Sequence, residues 1–238
     1  MKVQFSSLAY LQNWRTRFVY FLLMPIISLS LLILINAQYT NSLQWPVAVA
    51  TIVLSGGTLA MTSIAQLFVM DRNLKIDLEM VVNRPLSLHY WGTKVATAML
   101  AGLVLIGINL VLLSVFRAPY LLIIRALTMS PIIVVSGTIV GFFSAIAAWQ
   151  NNNPYFYLNI VSALATIVAG TLILIDHYPL WLRIISLFFP FSQTIKYVVV
   201  GSGKLYIDLG IDAIWLLLGI VLYRVQCHTV LKRHHQIW

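Results

Sequence analysis

Residues 126–175 contain no Asp, Glu, Lys or Arg. Such a stretch either fills the core of a large soluble protein or lies in lipid, and the rest of the chain decides between the two. The chain is 238 residues long, 61% hydrophobic and only 9% charged, whereas soluble domains average about 25% charged residues. A soluble domain of this length could not cover so much apolar surface. A helix needs about 20 largely apolar residues to cross roughly 30 Å of hydrocarbon. Segments 18–37, 45–70, 95–116, 126–149, 155–175 and 207–223 supply them. The expected fold is an all-α integral membrane protein with six transmembrane helices. No internal repeat or low-complexity linker divides it, so 1–238 reads as one domain.

Fifteen Lys and Arg against six Asp and Glu give a net charge of +9. In a soluble protein that balance would point to nucleic acid. Here the cations flank the spans, where lysine and arginine mark the cytoplasmic side, so membrane lipid is the expected neighbour and nucleic acid is not. Lys2, Arg15, Arg17, Arg72, Lys75, Arg84, Lys94, Arg224, Lys232 and Arg233 fall on one side of the six-span topology. Arg117, Arg125, Arg183, Lys196 and Lys204 fall on the other. Both termini and the loops 71–94 and 150–154 are therefore expected in the cytoplasm. The start, MKVQFSSLAYLQNWRTR, has no apolar core before a small-residue cleavage site. It reads as an interfacial helix over about 3–16, not as a removable signal peptide. The single cysteine, Cys227, excludes an intrachain disulfide.

The stretch 179–203 is too polar for a span, with Arg183, Gln193 and Lys196, and Pro190 interrupts it. It predicts a broken, re-entrant helical hairpin on the outer side, since non-helical backbone at membrane depth survives only when buried in protein or wetted. The following VVVGSGKLYID resembles a strand entering a phosphate loop, but Leu205 stands where a phosphate loop has Ser or Thr, and Val198 where its first glycine belongs. No ATP site is expected in this chain. Asp176 and His177 at the outer end of span five read as a solvated loop end or a gate. Cys227, His228, His234 and His235 match no standard metal-ligand spacing, so the basic tail reads as a lipid-surface segment and no metal is expected.

The loop 70–94 is the longest polar stretch. Leu74, Leu78 and Val81 recur at helical spacing, which predicts an amphipathic helix over 73–83, capped by Asp71 or Asn73 and ended by Pro85. Such a helix, pinned to spans two and three, is either a lever for something docking from the cytoplasm or an interfacial anchor. Glu79 lies six residues before Pro85-Leu86-Ser87, with Gly92 and Lys94 following. This pattern resembles the first coupling helix of permease subunits of type-2 ATP-binding-cassette exporters. The family's Gly-Thr before Leu-Glu is replaced by Ile76-Asp77, and Thr93 separates Gly92 from Lys94. Pro179, Trp181, Leu182 and Pro190 are similar to that family's external hairpin, although Leu174-Ile175-Asp176 replaces the small pair that ends span five.

The resemblance implies a permease without its own ATPase site, in a bacterial cytoplasmic membrane. It would pair with a second permease, alike or different. Arg72, Lys75, Glu79, Arg84 and Pro85 would form the surface on which separate cytoplasmic ATPase subunits dock, and those subunits would bind ATP and Mg. It further implies that spans two and five line a path for an amphiphilic cargo (drug, lipid or apolar peptide) leaving the cytoplasm. Two polar stripes fit this independently: Thr51, Ser55, Thr58, Thr62 and Gln66, and Tyr155, Asn159, Ser162 and Thr166. Helix packing within one subunit would produce the same stripes, and Gly137 and Gly141 read as plain packing. No acidic or basic residue is read as lying well inside a span, which speaks against ion-driven transport. The competing functions are a non-transporting binding or immunity protein and, less well supported, a membrane enzyme, for which no catalytic motif is present.

Overall fold

A computed structural model describes residues 8–40, 44–83, 87–171 and 173–235. The described residues are all-α. Two short helices, α1 (Ala9–Gln12) and α2 (Trp14–Phe18), are separated by extended Asn13. A π-helical turn (Val19–Leu23) then runs without a break into α3 (Met24–Thr40). The long helices are α4 (Trp45–Asn73), α6 (Leu88–Val115), α7 (Tyr120–Ala147) and α11 (Leu205–His235). Between them come α5 (Ile76–Asn83), the shorter α8 (Phe156–Val168), a 3₁₀ turn (Ile175–His177), α9 (Leu180–Ser186) and α10 (Ser192–Val200). Four of these helices are long and apolar enough to cross a bilayer, and the chain is an integral multi-pass membrane protein.

Local chemistry places the ends. Pro46 sits in the first turn of α4, where its missing N–H costs nothing. Ser87 caps α6, its Oγ accepting from the Tyr90 N–H. Left-handed residues end helices at Lys75 (φ 58°), Arg117 (φ 62°) and Gly201 (φ 86°). The long helices outrun the sequence-predicted spans: α6 begins at Leu88, not 95, and α7 at Tyr120, not 126. In contrast, α8 stops at Val168.

The bundle is organised around α4, whose most apolar window is 72% buried, against 17% for α11 on the rim. Glycine seams let its neighbours approach. A Cβ on Gly137 of α7 would lie 2.0 Å from the Gly57 carbonyl, and one on Gly102 of α6 would lie 2.6 Å from that of Gly56. Small residues at crossings are how membrane helices gain close packing. The outward residues, among them Leu34, Val111, Leu127 and Leu217, are apolar and exposed.

Two prolines inside helices are compensated by side chains. Pro25 cannot donate to the Phe21 carbonyl, and Asn109 Nδ2 of α6 donates to it instead at 3.0 Å. Pro131 likewise leaves the Leu127 carbonyl, which accepts from Ser130 Oγ at 2.8 Å. In lipid such carbonyls have no water to turn to.

Candidate functional site

The end of the bundle predicted to face the cytoplasm, which we call the inner end, is tied together by both charge and aromatic rings. Asp71, in the last turn of α4, pairs with Lys94 of α6 at 2.7 Å and accepts from the Tyr90 hydroxyl at 2.5 Å. Lys94 is 1% exposed, also donates to the Leu67 carbonyl at 3.0 Å, and lies over the Tyr90 ring. Arg72 donates to the carbonyls of Ala148 and Asn151 at 3.3 and 2.9 Å, neutralising the negative end of α7. Nearby, Phe68, Trp91, Phe142, Trp149 and Tyr223 pack with ring centroids 4.9–5.8 Å apart. All four long helices thus share one rigid inner block.

On this block sits α5. It starts at Ile76, three residues later than the periodicity predicts, because Asn73 completes α4 and Lys75 turns left-handed. Asp71 therefore pairs with Lys94 instead of capping the short helix. Val81 is buried, whereas Leu74, Lys75, Ile76 and Glu79 face outward. The helix packs on both α4 and α11. Of the expected docking residues, Arg72, Lys75 and Glu79 are thus at the inner end, with Arg72 turned inward to its carbonyls. Arg84 and Pro85 lie outside the described residues.

The polar stripe of α4 runs along that helix's one partly open side: Thr51, Ser55, Thr58, Thr62 and Gln66 are all half-buried. Its hydroxyls donate to the helix's own carbonyls, Thr51 to Val47, Ser55 to Thr51, Thr58 to Ser55 and Thr62 to Thr58. Ser55, Thr58 and Thr62 also line a cleft of about 220 Å³ opposite Tyr20, Pro25 and Ser28. On α8 and its N-terminal flank, Asn159 and Thr166 are exposed, while Tyr155 and Ser162 are half-buried. The α4 stripe thus faces the π turn and α3 across this cleft, and the α8 stripe is the more open of the two.

At the opposite, outer end, α9 and α10 are separated by a turn at 187–191 that holds buried Pro190. Pro179 precedes α9 and Trp181 is 62% exposed. Lys196 of α10 donates to Asp176 at 2.9 Å, which holds that carboxyl below its ordinary range. The glycine-rich stretch that resembles a phosphate loop is the turn from α10 into α11, pinned by Gln193 Oε1 accepting from the Lys204 N–H at 3.2 Å.

One expectation is overturned here. Charged residues do lie inside the long helices: Lys94 in α6, and Asp208 and Asp212 in α11, all at most 4% exposed. Averaged over a window, IDLGIDAIW still reads as apolar. The aspartates escape notice because they stand one turn apart on the single face that packs inward. Their i, i+4 spacing was the available signal. Comparison of the chain with protein-family models, curated proteins and solved structures finds no match.

Proposed function

We propose that the chain is the membrane permease of an ATP-driven exporter. Two permeases pair, separate cytoplasmic ATPase subunits carrying ATP and Mg dock on α5, and an amphiphilic drug, lipid or apolar peptide leaves between them. The observation that supports this reading is the placement of α5. It is a short helix with Glu79 outward and Val81 inward, and it rests on α4 and α11 beside the aromatic and ionic block that joins all four long helices. A push on α5 therefore reaches the whole bundle. The polar stripe on the partly open side of α4 supports the path. The missing intramembrane charge no longer counts as an argument.

Purification of the tagged chain from its own membranes in mild detergent tests the proposal. The expected result is a co-purifying, vanadate-sensitive ATPase whose hydrolysis becomes uncoupled from transport in Glu79→Ala. A chain that comes down alone, with no hydrolysis and a silent Glu79→Ala, would favour a non-transporting binding protein.

A further inference from the structure

Asp208 and Asp212 stand one turn apart on the buried face of α11, and their surroundings differ. Asp208 accepts three hydrogen bonds, from the Thr194 N–H at 2.7 Å, the Thr194 hydroxyl at 2.8 Å and the Gln193 N–H at 3.4 Å. Those donors suit an anion: two are backbone groups left free in the first turn of α10. Among the described residues Asp212 has one partner: its Oδ2 lies 2.6 Å from Ser136 Oγ of α7, and its Oδ1 meets no donor there.

The Ser136 hydroxyl carries one hydrogen and has two acceptors in reach, the Ile132 carbonyl at 3.0 Å and Asp212 Oδ2 at 2.6 Å. A carbonyl only accepts. Serines inside helices commonly give their hydrogen to the i−4 carbonyl, as Ser144 and Thr138 do on the same helix. With the Ser136 hydrogen on Ile132, the shorter contact needs a hydrogen of its own, and only the Asp212 carboxyl can carry it. An ionised Asp212 would instead set a second charge one turn from Asp208, with one donor among the described residues for its two oxygens.

Among the described residues, no cation offers relief. Arg125 of α7 fills the space where a Cβ on Gly201 would stand. Lys196 of α10 is paired with Asp176 at 2.6 Å. Lys204, just before α11, is exposed, and on α5, at the far end of α11, Glu79 is exposed. Among the described residues, no ion pair involves Asp212.

We infer that Asp212 is a proton-binding site inside the bundle, whose neutral carboxyl donates to Ser136 Oγ and so fastens α11 to α7. Loss of the proton leaves a buried carboxylate facing Asp208, and the outer turns of α11 then separate from α7 to hydrate it. Intramembrane carboxyls that take and release protons are the usual elements of proton-linked movement. The site belongs to this chain alone and stands whatever the chain transports.

Infrared spectroscopy of the full-length chain in phosphatidylcholine vesicles reads the proton directly, and six acidic side chains are few enough to assign. At neutral pH, the wild-type minus Asp212→Asn difference is expected to contain a protonated-carboxyl C=O band that wild type minus Asp208→Asn lacks. Ser136→Ala is expected to shift that band to higher frequency by removing its hydrogen-bond partner. Loss of carboxylate bands in place of the C=O band in Asp212→Asn would overturn the inference. Should that variant fail to reconstitute, Ser136→Ala decides alone: a shifted band supports the site, and an unshifted or absent one refutes it.

Discussion

Lys94 holds its ammonium among Asp71 at 2.7 Å, the Leu67 carbonyl at 3.0 Å and the Tyr90 ring face at 4.8 Å. A buried pair contributes little net stability, but breaking it by removing one partner costs about 3–5 kcal/mol, because the other charge stays behind. Lys94→Met is therefore expected to lower the stability of the detergent-solubilised chain by about 3 kcal/mol. Asp71→Asn added to it should restore most of that loss, since no orphan charge then remains. Thermal denaturation of the two single variants and the double variant measures the coupling, and strictly additive losses would show that the pair does not act as one unit. The residue itself was legible in the sequence, beside Gly92, but only as a loop cation. Its burial was not, because the continuous apolar run begins at 95 and leaves the first turns of α6 to be read as loop. His89, Tyr90 and Trp91 make those turns amphipathic, and tertiary packing makes them helix. The same physics hid Asp212: a charge on the inward face of a rim helix leaves the average hydropathy almost untouched.

Elements were most legible where proline or glycine punctuates them. Pro190 separates α9 from α10, and Gly201, at φ 86°, closes α10. They were least legible where a distant residue completes the backbone. The π turn before α3 runs into Pro25, which has no N–H for the Phe21 carbonyl, and Asn109, far away in sequence, supplies that donor instead. Asn109→Leu should therefore cost about 1–3 kcal/mol, the penalty of an unsatisfied buried polar group. Pro25→Ala in that background should recover part of it by returning a backbone N–H, and unfolding monitored by far-ultraviolet circular dichroism compares the three chains. The start of α5 was misread for a related reason: the left-handed turn falls on Lys75, which carries no glycine signal. At the outer end, the hydrogen bond from Lys196 lowers the pKa of Asp176 below its ordinary 3.8. A depressed folded value means that this bond stabilises the hairpin above about pH 4 and that the contribution disappears as pH falls through the folded value. Because Asp176 is exposed, the effect stays below about 1 kcal/mol. Amide exchange across 173–179, corrected for its intrinsic pH dependence, should rise in acid for wild type and lose that rise in Asp176→Asn.

At the scale of the whole molecule, the unusual surface is the one that carries hydroxyls where the rest of the rim carries leucine, valine and isoleucine. Along α6 and α11 the outward positions, such as Val111 and Leu217, are those of a helix in lipid. Along α4 the half-open positions are Thr51, Ser55, Thr58 and Thr62, and α8, which packs beside α4, continues the polar face with Asn159 and Thr166. The helical spacing of both stripes was legible in the sequence. Whether they pack inside the subunit was not, because periodicity fixes a shared face and says nothing of what covers it. Their hydroxyls are satisfied by their own helix, so lipid would tolerate them, but a second copy of the chain could approach this face more closely than any leucine-lined one. Single cysteines separate the two cases in a chain whose only native cysteine, buried Cys227, is replaced by alanine. Ser55→Cys and Thr58→Cys are expected to form disulfide-linked dimers on mild oxidation in native membranes, and Val111→Cys and Leu217→Cys are not. If the chain is the exporter permease proposed above, Thr58→Leu and Ser162→Leu should lower export more than they lower dimer yield, because a path tolerates bulk less than a contact does. Equal cross-linking at all four positions would mean that the stripe faces lipid like its neighbours, and equal loss of export and assembly would make it packing. Only unequal cross-linking with export lost first makes this face the place where two copies enclose a path.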